Sequence, residues 1–174
     1  IGVALRKKLV FKVYAAGMYI ADDRGKPSFQ QLLGEAGGNV DSLRHSGKFY
    51  DWLINGDFGK SMEWVFVRNL EKGKMSGTIK ESLERELGDL NAPDLKEPSE
   101  KFLAAVDVEL KKWQRLHVIQ RPGWEIVALL DGKPLVKVRS AKIAKAIWRI
   151  YFGKNPVQSD LKKNLVQVIE NLKS

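Results

Sequence analysis

Few residues of this sequence could do chemistry, and the first two lie near its start. Arg6 precedes a strand-like run that contains Tyr14. A guanidinium grips a carboxylate through two parallel hydrogen bonds, and a phenol adds a third, neutral one. Residues of these two types could together hold an anionic oxygen. Taken alone, however, an isolated arginine favours a plain ion pair with an acid such as Asp22.

The remaining candidates favour no catalytic or metal site. His45 and His117 are the only histidines, and no set of carboxylates with metal-ligand spacing accompanies them. Glu81 and Glu84 fit a solvated helix face better than an acid/base pair. The absence of cysteine excludes disulfides and thiolate chemistry. Neither a Ser-His-Asp spacing nor a glycine-rich phosphate loop is present. We predict no catalytic residue and no metal ligand.

Length and charge narrow the class of protein. The 174 residues fit one domain, 1–174, and the formal net charge is +9. This charge leaves a weak contact with an anionic membrane surface open. We expect no nucleic-acid partner, because no DNA- or RNA-binding signature accompanies the lysines. No apolar run is long enough to cross a bilayer.

The predicted strands fall into two groups. Residues 9–20 and 62–69 are rich in β-branched and aromatic types, and the second run is apolar on both faces, as in a central strand. Residues 117–120, 124–130 and 135–138 form the later group. Asp131-Gly132 predicts a tight hairpin between the last two.

Helical patterns lie between and after these strands. Ser28 is a candidate cap for a short helix through Leu33, residues 34–47 read as loop with a short element, and 49–54 are ambiguous. Residues 75–87 form a helix that ends at Gly88. Ser140 caps a helix over 141–152, and a last helix starts near Gln158. Strands grouped apart from helices favour an α+β fold.

One further helix is predicted to open at Pro98 and to bury a long apolar stripe. The stripe consists of Phe102, Leu103, Val106, Leu110 and Trp113. Like the other four tryptophans, Trp113 is therefore expected in the core.

Three stretches resemble the chalcone isomerase-like family. They are GVALRKKLVFKVYAAGMYI (2–20), FVRNLEKGKMSGTIKESL (66–83) and AIWRIYFGKNPVQSDLKKNL (146–165), in the family's order and spacing. The resemblance implies an open-faced β-sandwich, in which a large antiparallel sheet carries helices on one face and a ligand cleft lies between.

The resemblance also maps the cleft of the plant isomerase onto this chain. The isomerase arginine falls on Arg6, and its strand threonine falls on Tyr14. The tyrosine and asparagine of the cleft fall on Met75 and Ser82, and the C-terminal threonine or serine falls on Ile150. Isomerisation needs a hydrogen-bonded water network around the developing oxyanion. Met75 and Ile150 cannot take part in such a network, so we expect no chalcone isomerase activity.

Arg6 with Tyr14 is instead similar to the fatty-acid-binding branch of the family, where this pair holds the carboxylate. The resemblance implies a non-catalytic binder of a lipophilic carboxylate, expected as a monomer. Ser82 and a tunnel of four apolar residues complete its site: Met75, Ile79, Ile147 and Ile150.

This hypothesis requires a particular backbone geometry between Arg6 and Tyr14. Along one straight strand, Arg6 and Tyr14 would lie roughly 26 Å apart, at about 3.3 Å per residue. The chain must therefore bend or bulge near Lys7–Lys8, although no glycine, proline or asparagine stands there.

Two alternatives follow from the same resemblance. The first is a haem protein with His45 or His117 as axial ligand; otherwise no cofactor is expected. The second is an isomerase or lyase with an unknown substrate and Arg6 as electrophile. Bacterial relatives are often exported, eukaryotic relatives often lie in plastids or mitochondria, and the chain starts without Met. We therefore expect a periplasmic, plastid or mitochondrial location after removal of a targeting segment.

Overall fold

An antiparallel sheet forms the framework of this computed structural model, which describes residues 2–8, 11–21, 23–45, 47–158 and 161. Among these residues the sheet has six strands in chain order, each paired with the next. They are β1 Gly2–Lys8, β2 Phe11–Ile20, β3 Lys60–Phe66, β4 Arg115–Arg121, β5 Glu125–Leu130 and β6 Lys133–Arg139.

The core lies on one face of this sheet. Met18, Met62, Val118 and Ala128 are cross-strand neighbours on four successive strands, and all four are buried. Because side chains alternate between the two faces of a strand, such a row marks the covered face.

Helices cover that face. They are α1 Gly25–Glu35, α2 Val40–His45, α3 Gly47–Asn55, α4 Lys74–Leu87, α5 Lys96–Ala105 and α6 Ala141–Phe152. Helix α6 contacts α3, α4 and β5, and α5 contacts β6. The α+β prediction is thus confirmed, with an open sheet and helices on one side. No helix in the described ranges is long and apolar enough to cross a membrane.

Short sequence motifs correctly predicted several boundaries of strands and helices. The hairpin residues Asp131 and Gly132 have φ of 48° and 79°, as a two-residue turn of this kind requires. Ser140 caps α6, because its hydroxyl oxygen accepts a hydrogen bond from the Ile143 amide at 3.3 Å. Helix α4 ends at Gly88, as its left-handed φ of 79° allows.

The cap predicted at Ser28 is wrong, and the ambiguous stretch 49–54 is helical. Helix α1 begins at Gly25, so Ser28 is not its cap; the Ser28 hydroxyl donates to the Gly25 carbonyl inside the first turn. The ambiguous stretch 49–54 belongs to α3. The last predicted helix, from Gln158 onward, lies outside the described residues except for Gln158 and Leu161, which are both buried.

The helix predicted from Pro98 to Trp113 is the largest error. Helix α5 begins at Lys96 and ends at Ala105. Leu110 is buried by tertiary pairing, since it forms an isolated β-bridge with Leu70. Trp113 is 65% exposed, and its prediction as a core residue is wrong. Apolar residues at helical spacing simply continue into an irregular segment, so their periodicity could not mark where the helix stops.

Candidate functional site

A cavity of about 600 Å³ opens between the covered face of the sheet and helices α4 and α6. Six of the seven residues predicted from the sequence line it: Tyr14, Met75, Ile79, Ser82, Ile147 and Ile150. The side chain of the seventh, Arg6, is not among those described. Residues from β2, α4 and α6 therefore come together around one space.

The floor of the cavity is apolar. Trp64 of β3, Phe102 of α5 and Ile147 of α6 line it and are buried. Ser82 adds little polarity, because its hydroxyl donates to the Thr78 carbonyl at 2.8 Å within α4. The indole nitrogen of Trp64 is buried and makes no hydrogen bond with the described residues. A floor of this kind suits a hydrocarbon chain.

Strand β1 pairs antiparallel with β2, whose residues Val13 and Tyr14 line the cavity. In this hairpin Arg6 pairs directly with Tyr14, and a register shift between Arg6 and Lys7 marks a bulge. Residues directly opposite one another in an antiparallel pair have Cβ atoms about 4.5–5.5 Å apart. The backbone therefore meets the geometric condition, and position 6 lies beside position 14 rather than roughly 26 Å from it.

Tyr14 is held in place by its neighbours. It is 5% exposed, and its ring packs edge-on against Phe66 with ring centroids 6.0 Å apart. Tyr14 and Phe66 are cross-strand partners of β2 and β3, so the sheet itself fixes the tyrosine at the cavity wall.

The mouth of the cavity is polar and was not predicted. Exposed residues of the β3–α4 connection and of α4 border it: Arg68, Asn69, Glu71, Lys74, Thr78 and Glu81. Alternation along β3 could have identified Arg68, since Trp64 and Phe66 precede it at intervals of two. The mouth thus brings two cations, Arg68 and Lys74, to the same cavity as Tyr14.

His117 adds nothing to this cavity. His117 lies on β4 next to Val118, which lines the cavity, so the two side chains point to opposite faces of the sheet. Burial lowers the pKa of His117, and Glu63 partly opposes that shift. The side chain of His45 is outside the described set. No cluster of His, Asp and Glu in the described residues could hold a metal ion.

A buried lysine lies apart from the cavity. The Lys60 ammonium donates to the carbonyls of Leu53 and Gly56 at the C-terminal end of α3. Gln120 also donates to the Gly56 carbonyl, and it accepts from the Trp148 indole nitrogen at 2.6 Å. Burial lowers the pKa of Lys60 to about 7. This cluster joins α3, β4 and α6, and we assign it a structural role.

Comparisons with known proteins agree with this architecture. A fatty-acid-binding protein of Arabidopsis thaliana has a similar solved structure, with a TM-score of 0.79 at 20% sequence identity. The match covers 99% of this chain and 88% of the other. At that identity the likeness shows the fold alone. No curated protein sequence matches the chain.

The family comparison is decisive for classification. The model of the chalcone isomerase-like family matches residues 50–166, about two thirds of the sequence. That range includes the predicted site residues of α4 and α6, and it begins after β1 and β2. The chain belongs to the chalcone isomerase-like family.

Proposed function

We propose that this protein binds a fatty acid or a similar anionic lipophilic ligand without chemically changing it. The carboxylate is held by Arg6 and Tyr14, and the hydrocarbon chain lies in the cavity between the sheet and helices α4 and α6. The observation that carries the proposal is the pairing of Arg6 with Tyr14 at the wall of an apolar cavity.

The chemistry of both parts of the proposed ligand, its carboxylate and its hydrocarbon chain, supports this assignment. Position 6 shares a sheet face with Tyr14, because directly opposite residues of an antiparallel pair lie on the same side. A guanidinium there supplies two charge-assisted hydrogen bonds, and the phenol supplies a third. The hydrocarbon gains about 0.8 kcal/mol for each CH₂ that leaves water. A volume of about 600 Å³ lies within the range of ligand sites of this kind.

The Arabidopsis protein adds independent support. It is described as a fatty-acid-binding protein, and its fold covers nearly all of this chain. The absence of a catalytic role is supported by Met75 and Ile150. They stand where the resemblance places hydrogen-bonding residues of the plant isomerase, and both are buried in the cavity wall.

Mass spectrometry of lipids extracted from the purified protein tests the proposal. We expect long-chain fatty acid in near-stoichiometric amount. After delipidation, the protein should bind added dodecanoate in calorimetry, and Arg6→Gln should bind it more weakly. An empty extract together with no dodecanoate binding would refute the proposal.

A further inference from the structure

A tight turn carries the most exposed large hydrophobic side chain of the described residues. In the turn Lys111–Gln114, the Gln114 amide donates to the Lys111 carbonyl at 3.0 Å, and the Lys111 amide donates to the Gln114 side-chain oxygen at 2.8 Å. Trp113 stands third in this turn with φ of 73° and is 65% exposed. Glycine is the residue that normally takes such a φ. A bulky residue held there suggests that its position serves a function.

The turn is fixed beside the mouth of the cavity. The Trp113 amide donates to the Phe66 carbonyl at 2.7 Å, at the end of β3. The Lys112 amide donates to the side-chain oxygen of Asn69 at 2.8 Å, and Asn69 borders the mouth. The Phe66 amide also donates to the Gln114 carbonyl at 3.0 Å, so three hydrogen bonds attach the turn to the segment through which the cavity opens.

The surroundings of Trp113 are basic. The Lys112 ammonium lies 4.9 Å from the centre of the Trp113 ring, and the turn itself contains no acid. Lys72 and Arg115 are nearby but paired with acids, at 3.9 Å and 3.8 Å. Across the turn and the mouth, the cations Arg68, Lys74, Lys111 and Lys112 outnumber the acids Glu71 and Glu81. One further acid, Asp131, accepts a hydrogen bond from the Gln114 side chain at 2.9 Å. The chain as a whole carries a net charge of +9.

We infer that this surface, the turn Lys111–Gln114 with the mouth of the cavity, docks on an anionic phospholipid membrane. Tryptophan is suited to the boundary between headgroups and acyl chains, and each lysine near an anionic surface adds attraction. Docking brings the mouth against the bilayer, so a ligand can pass between membrane and cavity with little exposure to water. The inference rests on the proposed function, because it supplies the route by which the ligand arrives.

Co-sedimentation with vesicles of phosphatidylcholine and phosphatidylserine tests this inference. We expect binding that weakens steeply with salt and is absent with phosphatidylcholine alone. Trp113→Ala should weaken it roughly tenfold, from lost apolar burial. The double variant Lys111→Glu/Lys112→Glu should weaken it at least about tenfold.

Matched controls keep the test specific. Tyr19→Ala removes the other exposed large aromatic side chain of the described residues, which is 37% exposed and lies near the end of β2. Arg24→Glu/Lys26→Glu makes the same change in net charge at the start of α1. Both controls should bind vesicles like the wild type. Acyl chains carrying bromine should quench the tryptophan emission of the wild type and quench it less in Trp113→Phe.

The outcomes separate this inference from the proposed function. Dodecanoate binding without vesicles should be unchanged in Trp113→Ala. If the wild type binds dodecanoate but not anionic vesicles, the docking inference is wrong and the binding proposal stands. Vesicle binding that both charge variants reduce equally, or binding to duplex DNA with no quenching by brominated lipid, also overturns the docking inference.

Discussion

Replacing Arg6 by Gln tests the proposed carboxylate site most sharply. Gln keeps a polar side chain of moderate length but removes the charge and the two-pronged grip. Because Arg6 is a cross-strand partner of Tyr14, the substitution changes one side of the proposed carboxylate contact and leaves the cavity floor intact.

The expected loss follows from the position of this pair. Hydrogen bonds to charged groups contribute about 1.5–3 kcal/mol each. Tyr14 is 5% exposed, but the exposed cations Arg68 and Lys74 border the same cavity and water reaches its mouth. We therefore take the lower value of that range, about 1.5 kcal/mol, for each of the two hydrogen bonds. The sum of about 3 kcal/mol corresponds to roughly a hundredfold weaker binding.

Calorimetry with two ligands isolates this contribution. Dodecanoate should bind Arg6→Gln about a hundredfold more weakly, whereas dodecanol, which lacks the carboxylate, should bind both proteins alike. Arg121→Gln removes a guanidinium that pairs with Glu125 at an exposed site, and it should change neither affinity. Equal weakening of both ligands in Arg6→Gln would mean that the residue supports the fold rather than the carboxylate.

Three further changes have defined outcomes. Tyr14→Phe should weaken dodecanoate binding about tenfold, through loss of one hydrogen bond to the carboxylate, while the ring contact with Phe66 remains; an unchanged affinity would contradict it. Met75→Trp should block the cavity and weaken dodecanoate at least about tenfold, whereas Met75→Leu should bind normally; equal affinities would place the chain elsewhere. The pKa of Lys60 is lowered to about 7, so the unfolded chain binds more protons than the folded protein between pH 7 and 10.5. The free energy of unfolding in urea should therefore rise by up to about 2 kcal/mol from about pH 7 to about pH 9, and Lys60→Met should flatten the rise; identical slopes would show that Lys60 stays charged when folded.

Parts of the fold that depend on short-range signals could be predicted from the sequence. The hairpin at Asp131-Gly132 and the helix cap at Ser140 each rest on one local backbone requirement that a single residue type meets. The first hairpin could not be predicted in this way. Its pairing of β1 with β2 places Arg6 beside Tyr14, yet no glycine, proline or asparagine near Lys7–Lys8 predicts a turn.

The candidate site likewise has parts that the sequence predicted and parts that it did not. Its apolar wall was predicted by the family resemblance, which placed Met75 and Ile150 in the cleft. The polar mouth was missed for two reasons. Asn69 lies in the β3–α4 connection, and the helical spacing of Lys74, Thr78 and Glu81 on α4 is equally typical of a helix face in open solvent. Trp113 was misplaced for a tertiary reason: the chain leaves helix α5 at Ala105, and the hydrogen bond from the Trp113 amide to Phe66 then fixes the turn outward.

The central claim is that Arg6 and Tyr14 hold a carboxylate, and the ionisation of a bound ligand tests it directly. Carbon-13 NMR of dodecanoate labelled at its carboxyl carbon reports the pKa of that group in the complex. A guanidinium and a phenol that donate to the carboxylate should hold its pKa below about 4, and Arg6→Gln should raise it. A bound carboxyl whose pKa is at or above its value in water, and equal in both proteins, would contradict the account.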